Sequence, residues 1–318
     1  MLKNNESKRP LISFVITCHN TSTAYLRECV DSIIKLSLRE DEREILLIDD
    51  GSSKCLLSEI MDIADNVTYV RQKSGGYSSA RNTGMRFASG KYIQFIYGGD
   101  KLLSEAYEHC IDIIRYNDPD IVMFNSGNES NEQNDYEGEE PSEGYEYMKR
   151  HSISTSPWGY VFSSRLIVNL SFDTELYAPE EEFTTLLLLG ADKVYSSSAV
   201  AYFIREKADK VNRHDKKAVI KRLDDAETII KRLQNLAATM AMNDRLALQR
   251  RVAQLAMNYI INTILWTRSS RQLETRLHHM EENGLFPLPN KSYSKKYILF
   301  NKLSRRSIIR KLVFKMLG

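Results

Sequence analysis

Residues 74–100 read SGGYSSARNTGMRFASGKYIQFIYGGD. Gly75 and Gly76 permit backbone angles closed to other residues, so the stretch opens on a turn. Ala80, Gly84, Phe87 and Ala88 recur on one face of a short amphipathic helix. Gly90 suits a helix stop. Residues 92–96 are a β-rich run, ended by Gly98 and Gly99, which leaves Asp100 at the carboxyl end of a strand. In open α/β sheets ligands bind outside those ends.

Upstream, residues 11–17 (LISFVIT) are nearly all apolar, as in a central parallel strand buried on both faces. The polar loop CHNTST follows. Leu26, Val30, Ile33, Ile34 and Ser37 then give helical spacing over residues 25–38. A second strand is expected over 44–48, ending in Asp49-Asp50-Gly51-Ser52, then a helix over 53–64 and a third strand over 67–70. Downstream come a helix over 106–116 and a strand over 121–124. This alternation predicts an α/β domain, its parallel sheet covered by helices on both faces. The loop after the first strand, Cys18-His19-Asn20-Thr21-Ser22, contains no glycine, and no G-x-x-x-x-G-K-[ST] occurs. Dinucleotide and P-loop chemistry are set aside on that ground.

The 318 residues are 42% hydrophobic, enough for one large domain or a domain with an extension. A net charge of +2 gives no nucleic-acid footprint. Cys18, Cys29, Cys55 and Cys110 lack C-x-x-C spacing and read as reduced thiols. Lys3, Lys8 and Arg9 precede no apolar segment, so no signal peptide is expected. No run of about 18 apolar residues predicts a membrane span, and a cytoplasmic protein is expected. Residues 117–144 carry no Lys or Arg and many acids, as a solvated surface loop does. From Asp215 the pattern turns helical, with Ile220, Leu223, Ile229, Ile230, Leu233 and Leu236 on one side, a further helix over 249–266, and a break at Pro287 and Pro289. Residues 301–318 interleave six cations with large apolar residues and no acid. Such a segment can lie in a membrane interface.

The opening stretch resembles the centre of the family-2 glycosyltransferases, inverting nucleotide-sugar enzymes of the GT-A fold. Their string runs close to N-G-G-L-S-x-A-R-N-x-G, then x-G-x-Y-I-x-F-L-D-S-D-D. The first half is nearly intact in residues 74–84. In the second, Tyr97 and Gly99 stand at the two positions of the metal-binding D-x-D, and Asp100 keeps the last carboxylate. Trp158-Gly159-Tyr160-Val161-Phe162 resembles the family's W-G-K-L-F. Residues 172–184 resemble F-d-e-x-x-x-x-E-D-x-x-F-T, with Pro179 in place of the Glu, Glu180 in place of the Asp, and Glu181 one register away. Residues 199–205 (AVAYFIR) resemble a closing strand with Y-x-x-R. The resemblance covers roughly residues 11–213.

It implies a GT-A, Rossmann-like mixed sheet, mainly parallel, in residues 1–213, followed by a helical C-terminal extension over 214–318. It also implies transfer of a sugar from a nucleoside diphosphate sugar, uridine-linked, to a saccharide or lipid-linked saccharide acceptor in surface or capsular polysaccharide synthesis. On this alignment Thr17 and His19 lie along the nucleoside, and Asp50 accepts the pyrimidine N–H beside a structural Asp49. Arg81 reaches uracil or phosphate, or pairs with Asp50, while Asn82 fixes its loop. The acidic stretch becomes an acceptor-side insertion. Mn or Mg is the family's partner for the diphosphate. Here Asp100 is the one carboxylate for it, and Lys101 and Arg205 are the cations that could supply charge instead. Glu180 is the expected base, with Glu181 next. The same acids also suit a helix N-terminus favoured by the macrodipole. Two alternatives follow from Tyr97 and Gly99: a degenerate relative that binds nucleotide or partner without catalysis, and a metal-independent transferase. A basic tail near lipid-linked acceptors implies peripheral contact with the inner face of a membrane through residues 301–318.

Overall fold

The computed structural model describes residues 9–56, 60–61, 63–127, 136, 138, 140–205 and 212–304. The tail over 305–318 and residues 128–135 of the acidic stretch lie outside them. In chain order the elements are β1 (Ile12–Cys18), α1 (Thr23–Ile34), β2 (Arg43–Asp49), β3 (Thr68–Arg71), α2 (Gly76–Phe87), β4 (Tyr92–Tyr97), β5 (Lys101–Leu102), α3 (Ser104–Asn117), β6 (Ile121–Gly127), α4 (Gly144–Arg150), β7 (Tyr160–Ser163), α5 (Glu180–Leu189), β8 (Val194–Phe203), α6 (Lys216–Thr239), α7 (Met242–Thr267), α8 (Ser270–Glu282) and α9 (Lys295–Ser304).

Contacts divide the chain into two units. One comprises Met1–Tyr147, Ile153–Thr174 and Leu186–Ala208, the other Met148–Ser152, Glu175–Thr185 and Asp209–Gly318. The last of these crossings falls between Ala208 and Asp209, and two short earlier segments also join the helical unit.

The first unit holds one sheet, ordered β3-β2-β1-β4-β7-β6-β8-β5 among the described residues. β3, β2, β1 and β4 run parallel, as do β6 and β8, while β7 is antiparallel to β4 and β6, and β5 to β8. Every residue of β1 is buried. Its side chains alternate between the faces. Phe14 and Ile16 join Leu26, Val30 and Ile33 of α1 and Tyr107 and Ile111 of α3 in one core. Val15 points the other way, to α2. A Cβ at Gly84 would come within 2.1 Å of Val15 Cγ1, so this glycine sets how closely α2 approaches the sheet. Helices therefore cover both faces.

Two expectations are corrected. Phe87 does not complete the buried face of α2 and is 53% exposed. It is the last helical residue, and Ala88 is already extended, so no further turn covers it. Residues 53–64 form no α-helix among the described residues. The Ser52 carbonyl, which would accept the first hydrogen bond of a helix begun at Ser53, is taken by the Arg71 guanidinium instead.

In the helical unit α6 begins at Asp215, whose carboxylate accepts from Ala218 N and so caps the helix. α6 and α7 bury Leu223, Ile230 and Leu233 with Ala247, Leu248 and Leu255. No described helix is long and apolar enough to cross a membrane.

Candidate functional site

The parallel register of β1, β2 and β4 brings their carboxyl ends together, and each end carries polar residues that the sequence singled out. β2 ends in two buried aspartates that do different things. Asp49 accepts from Ser52 N and from Tyr69 Oη (2.7 Å), with Arg71 Nε at 3.6 Å, and so ties the strand end to its own loop and to β3. Asp50, 3% exposed, turns to residues 72–76 instead. Its Oδ1 accepts from Gln72 Nε2 (2.7 Å) and Gly75 N (2.9 Å), and its Oδ2 from Gly76 N (2.8 Å) and Ser74 Oγ (3.3 Å). Gly76 has φ +82°, a conformation open to glycine, and this exposes the two successive amides. The glycine turn is thus folded around a carboxylate, and four donors fill that carboxylate's acceptor sites.

Beside it lies a cleft of about 150 Å³, lined by the β1 loop from His19 to Ser22, by Tyr25, and by Tyr97, Gly99, Asp100 and Arg205. His19 is held by both nitrogens: Nδ1 is 2.8 Å from the Asp50 carbonyl and Nε2 is 2.9 Å from Asn20 Nδ2. The carbonyl can only accept and the amide nitrogen can only donate. The ring is therefore oriented, with its proton on Nδ1. Tyr97 is bonded through its hydroxyl to Tyr77 (3.1 Å), the rings meeting edge to face. Burial of thiols here gives no reactive cysteine: burial, then Asp49 and Asp50, push the Cys18 thiol up to about 12.

Asp100 is 5% exposed. Its Oδ2 accepts from Tyr202 Oη (2.9 Å) and its Oδ1 from Arg205 N (2.9 Å), while Tyr202 Oη also accepts from Tyr97 N. Strand β8 thereby fixes the turn after β4. The Arg205 guanidinium donates to Gly99 O (2.8 Å) and Glu28 (2.6 Å) and lies over the Tyr25 ring at 4.1 Å. Other donors of its fork have no partner among the described residues. Glu28, also 3.5 Å from Lys101 Nζ, has its carboxyl held below the usual range chiefly by the Arg205 hydrogen bond. Sequence reasoning missed Glu28 and Tyr25, and carried Tyr202 only as the Tyr of Y-x-x-R. Tyr25 and Glu28 share a face of α1 at i, i+3 spacing, but only the fold brings Arg205 to them.

The remaining candidates are not among the residues that line the cleft. Thr17 is buried within β1, and Arg81 is 6% exposed with its guanidinium 5.3 Å from the centre of the Phe172 ring. Asn82 donates to Phe172 O (2.8 Å) and accepts from Phe172 N (2.9 Å). In the helical unit, α5 opens on three acids directly after Pro179. Glu181 is paired with Arg251, a residue 4% exposed that also donates to Thr185 Oγ1. Glu182 meets Arg232 at 3.1 Å. Glu180 is the half-buried first residue of the helix.

The D-x-D motif implies a divalent ion, and the residues present do not fit one. Such ions want several oxygen ligands, usually more than one carboxylate. Asp100 offers one carboxylate, already bonded on both oxygens, with a guanidinium in the same cleft. Among the described residues no group of three acidic, histidine or cysteine side chains could hold a metal.

A family model described as Glycosyl transferase family 2 matches residues 13–173. The uncharacterized glycosyltransferase EpsJ of Bacillus subtilis is 26% identical over 214 residues, covering 62% of this chain and 61% of EpsJ. The poly(ribitol-phosphate) beta-glucosyltransferase of Bacillus spizizenii is 31% identical over 117 residues, 35% of this chain and 18% of that protein. The matches thus span less than two thirds of these relatives. S. aureus TarS 1–349, crystallised in complex with UDP-GlcNAc, superposes with a TM-score of 0.55 over 93% of this chain and 91% of that one, at 15% identity. At that identity the likeness concerns the fold, which is the GT-A arrangement that the family resemblance implies. The family match begins on β1 and runs past Asn82 to its partner segment at Phe172, so it takes in the strand ends and the glycine turn: this chain belongs to glycosyl transferase family 2.

Proposed function

We propose that the protein transfers a sugar, with inversion, from a uridine diphosphate sugar to a saccharide acceptor in the synthesis of a surface polysaccharide. The observation that carries this is the cleft at the ends of β1 and β4, in which the Arg205 guanidinium, with spare donors, is bonded to Gly99, one of the two positions that the resemblance aligns with D-x-D. The TarS complex supports a uridine-linked donor, and the poly(ribitol-phosphate) enzyme supports a cell-surface polymer as acceptor.

In the reaction the acceptor oxygen attacks the anomeric carbon. The bond from that carbon to the diphosphate oxygen breaks, and a carboxylate takes the acceptor's proton. His19, oriented by its two hydrogen bonds, offers a ring face to the nucleobase. A base N–H reaches Asp50 by replacing its longest bond, that from Ser74 Oγ. Arg205 stabilises the charge that develops on the leaving diphosphate, since a guanidinium forks onto phosphate oxygens. Glu180 takes the proton. The family alignment, with Glu180 in place of the Asp, supports this role, whereas Glu181 and Glu182 are paired with arginines.

The experiment is release of uridine diphosphate from a panel of uridine-linked sugars, with and without a chelator. Turnover should ignore the chelator and fall by about two to three decades in Arg205→Ala, the weight of one group stabilising developing charge. Glu180→Gln should lower turnover by about two to four decades and leave donor binding intact. Manganese-dependent turnover that survives Arg205→Ala would falsify this reading. Donor binding without turnover would favour the degenerate binder, which the absence of carboxylates at Tyr97 and Gly99 also fits.

A further inference from the structure

α9 is a ten-residue helix with two unlike faces. Tyr297, Asn301 and Ser304, at i, i+4 and i+7, are buried. Tyr297 Oη and Asn301 Nδ2 both donate to the Pro289 carbonyl at 2.9 Å, which fixes the helix's rotation about its own axis. The opposite stripe follows the same spacing: Lys295, Ile298, Leu299 and Lys302, at i, i+3, i+4 and i+7, are all exposed, and Lys296 is exposed beside them. Ile298 is 46% and Leu299 61% exposed. An outward apolar pair bracketed by lysines is costly to leave in water, and rotation of the helix cannot hide it.

The charge around it is one-sided. Between residues 283 and 318 the sequence has nine lysines and arginines and no aspartate or glutamate. We infer that the outward face of α9 docks on an anionic lipid surface, with Ile298 and Leu299 entering the headgroup region and Lys295, Lys296 and Lys302 lying against the lipid charges. The chemistry selects lipid over other polyanions. A soluble polyanion would reward the cations alone, whereas only an interface that is anionic outside and apolar within rewards both residue types on one stripe. This inference does not depend on the transfer reaction.

The test uses the full chain and vesicles that either contain phosphatidylglycerol or are phosphatidylcholine alone. Wild type should co-sediment with the anionic vesicles at low salt and be released at high salt. Each cation near such a surface contributes about fivefold. The variant Lys295→Glu, Lys296→Glu, Lys302→Glu should therefore bind at least about a hundredfold more weakly. Ile298→Asp with Leu299→Asp should weaken binding comparably. Leu299→Trp should add a tryptophan emission that shifts to the blue on anionic vesicles only, read as the difference from wild type. These side chains are exposed, so thermal unfolding should be unchanged in all three variants. Wild-type-like sedimentation of the charge-reversed protein would overturn the inference. So would no sedimentation of wild type, an unshifted added emission in Leu299→Trp, or binding by the aspartate variant that soluble polyphosphate competes away.

Discussion

The two units satisfy their buried polar groups in different ways. In the sheet unit, the buried carboxylates are held by backbone amides: Asp50 by Gly75 and Gly76, Asp49 by Ser52, and Asp120 by Asp192 and Lys193, with Arg165 also on Asp120. In the helical unit side-chain cations predominate: Arg251 meets Glu181, Arg232 meets Glu182, Lys231 and Arg276 meet Glu227, and Lys221 meets Asp225, which also accepts from Tyr177 N. The difference follows from the backbone. A strand end and its turn leave N–H groups with no ladder partner, and these are free to bind an acid. A helix interior has spent its N–H groups on its own carbonyls, so a buried acid there needs a side-chain cation. The first arrangement is also a ligand-binding arrangement, because amides around a turn can exchange one anion for another.

The largest test of this contrast is Glu181→Ala. It leaves Arg251 buried without a counter-ion, and burial already pulls that guanidinium below its usual value while Glu181 opposes it. The expected loss is about 3–5 kcal/mol in urea unfolding, and most of it should return when Arg251→Met is added. A single variant within about 1 kcal/mol of wild type would mean that the helical pairs are incidental. Next is Asp50→Asn, which keeps the shape but turns one acceptor into a donor facing a glycine amide. It should cost about 2 kcal/mol and lower uridine diphosphate affinity as the turn loosens. Unchanged stability would show that the turn holds without its carboxylate. The smallest effect sharpens the rule. Asp215 caps α6 through Ala218 N, at the one place where a helix does leave amides open. Asp215→Ala should cost about 1 kcal/mol, read by the same unfolding curves.

The same contrast governs what the sequence could reveal. The β1 run, the glycine turn and the strand-end aspartates are legible because their chemistry is local. A backbone amide cradle needs particular residues within a few positions of each other, and Asp50 finds its donors 22 to 26 residues on, in a single motif. The Arg251–Glu181 pair spans 70 residues, and Arg205–Glu28 spans 177. No spacing announces such a partner, since any exposed-looking arginine could have served. Hence Glu181 reads in sequence as a base or a helix-end charge, while its pairing with a buried arginine emerges only from the fold. Among the described residues of 53–64 the missing helix has the same origin: Arg71, 19 residues on, takes the Ser52 carbonyl that would accept a helix's first bond.

The paired hydrogen bonds between Asn82 and the backbone of Phe172 act as a staple in the polymer sense. They close a loop of 90 residues whose two ends lie in the sheet unit. The entropy of such a closure grows only with the logarithm of length, so doubling the enclosed chain costs about 0.6 kcal/mol. The connection between β6 and α4 is enclosed by this loop in the sequence, and its described residues Gly138 and Ser142 bridge to β8 at Ser197 and Val194. Lengthening or shortening the chain between residues 127 and 136 should therefore cost little closure entropy, while the two bridges hold the described part of the connection to β8.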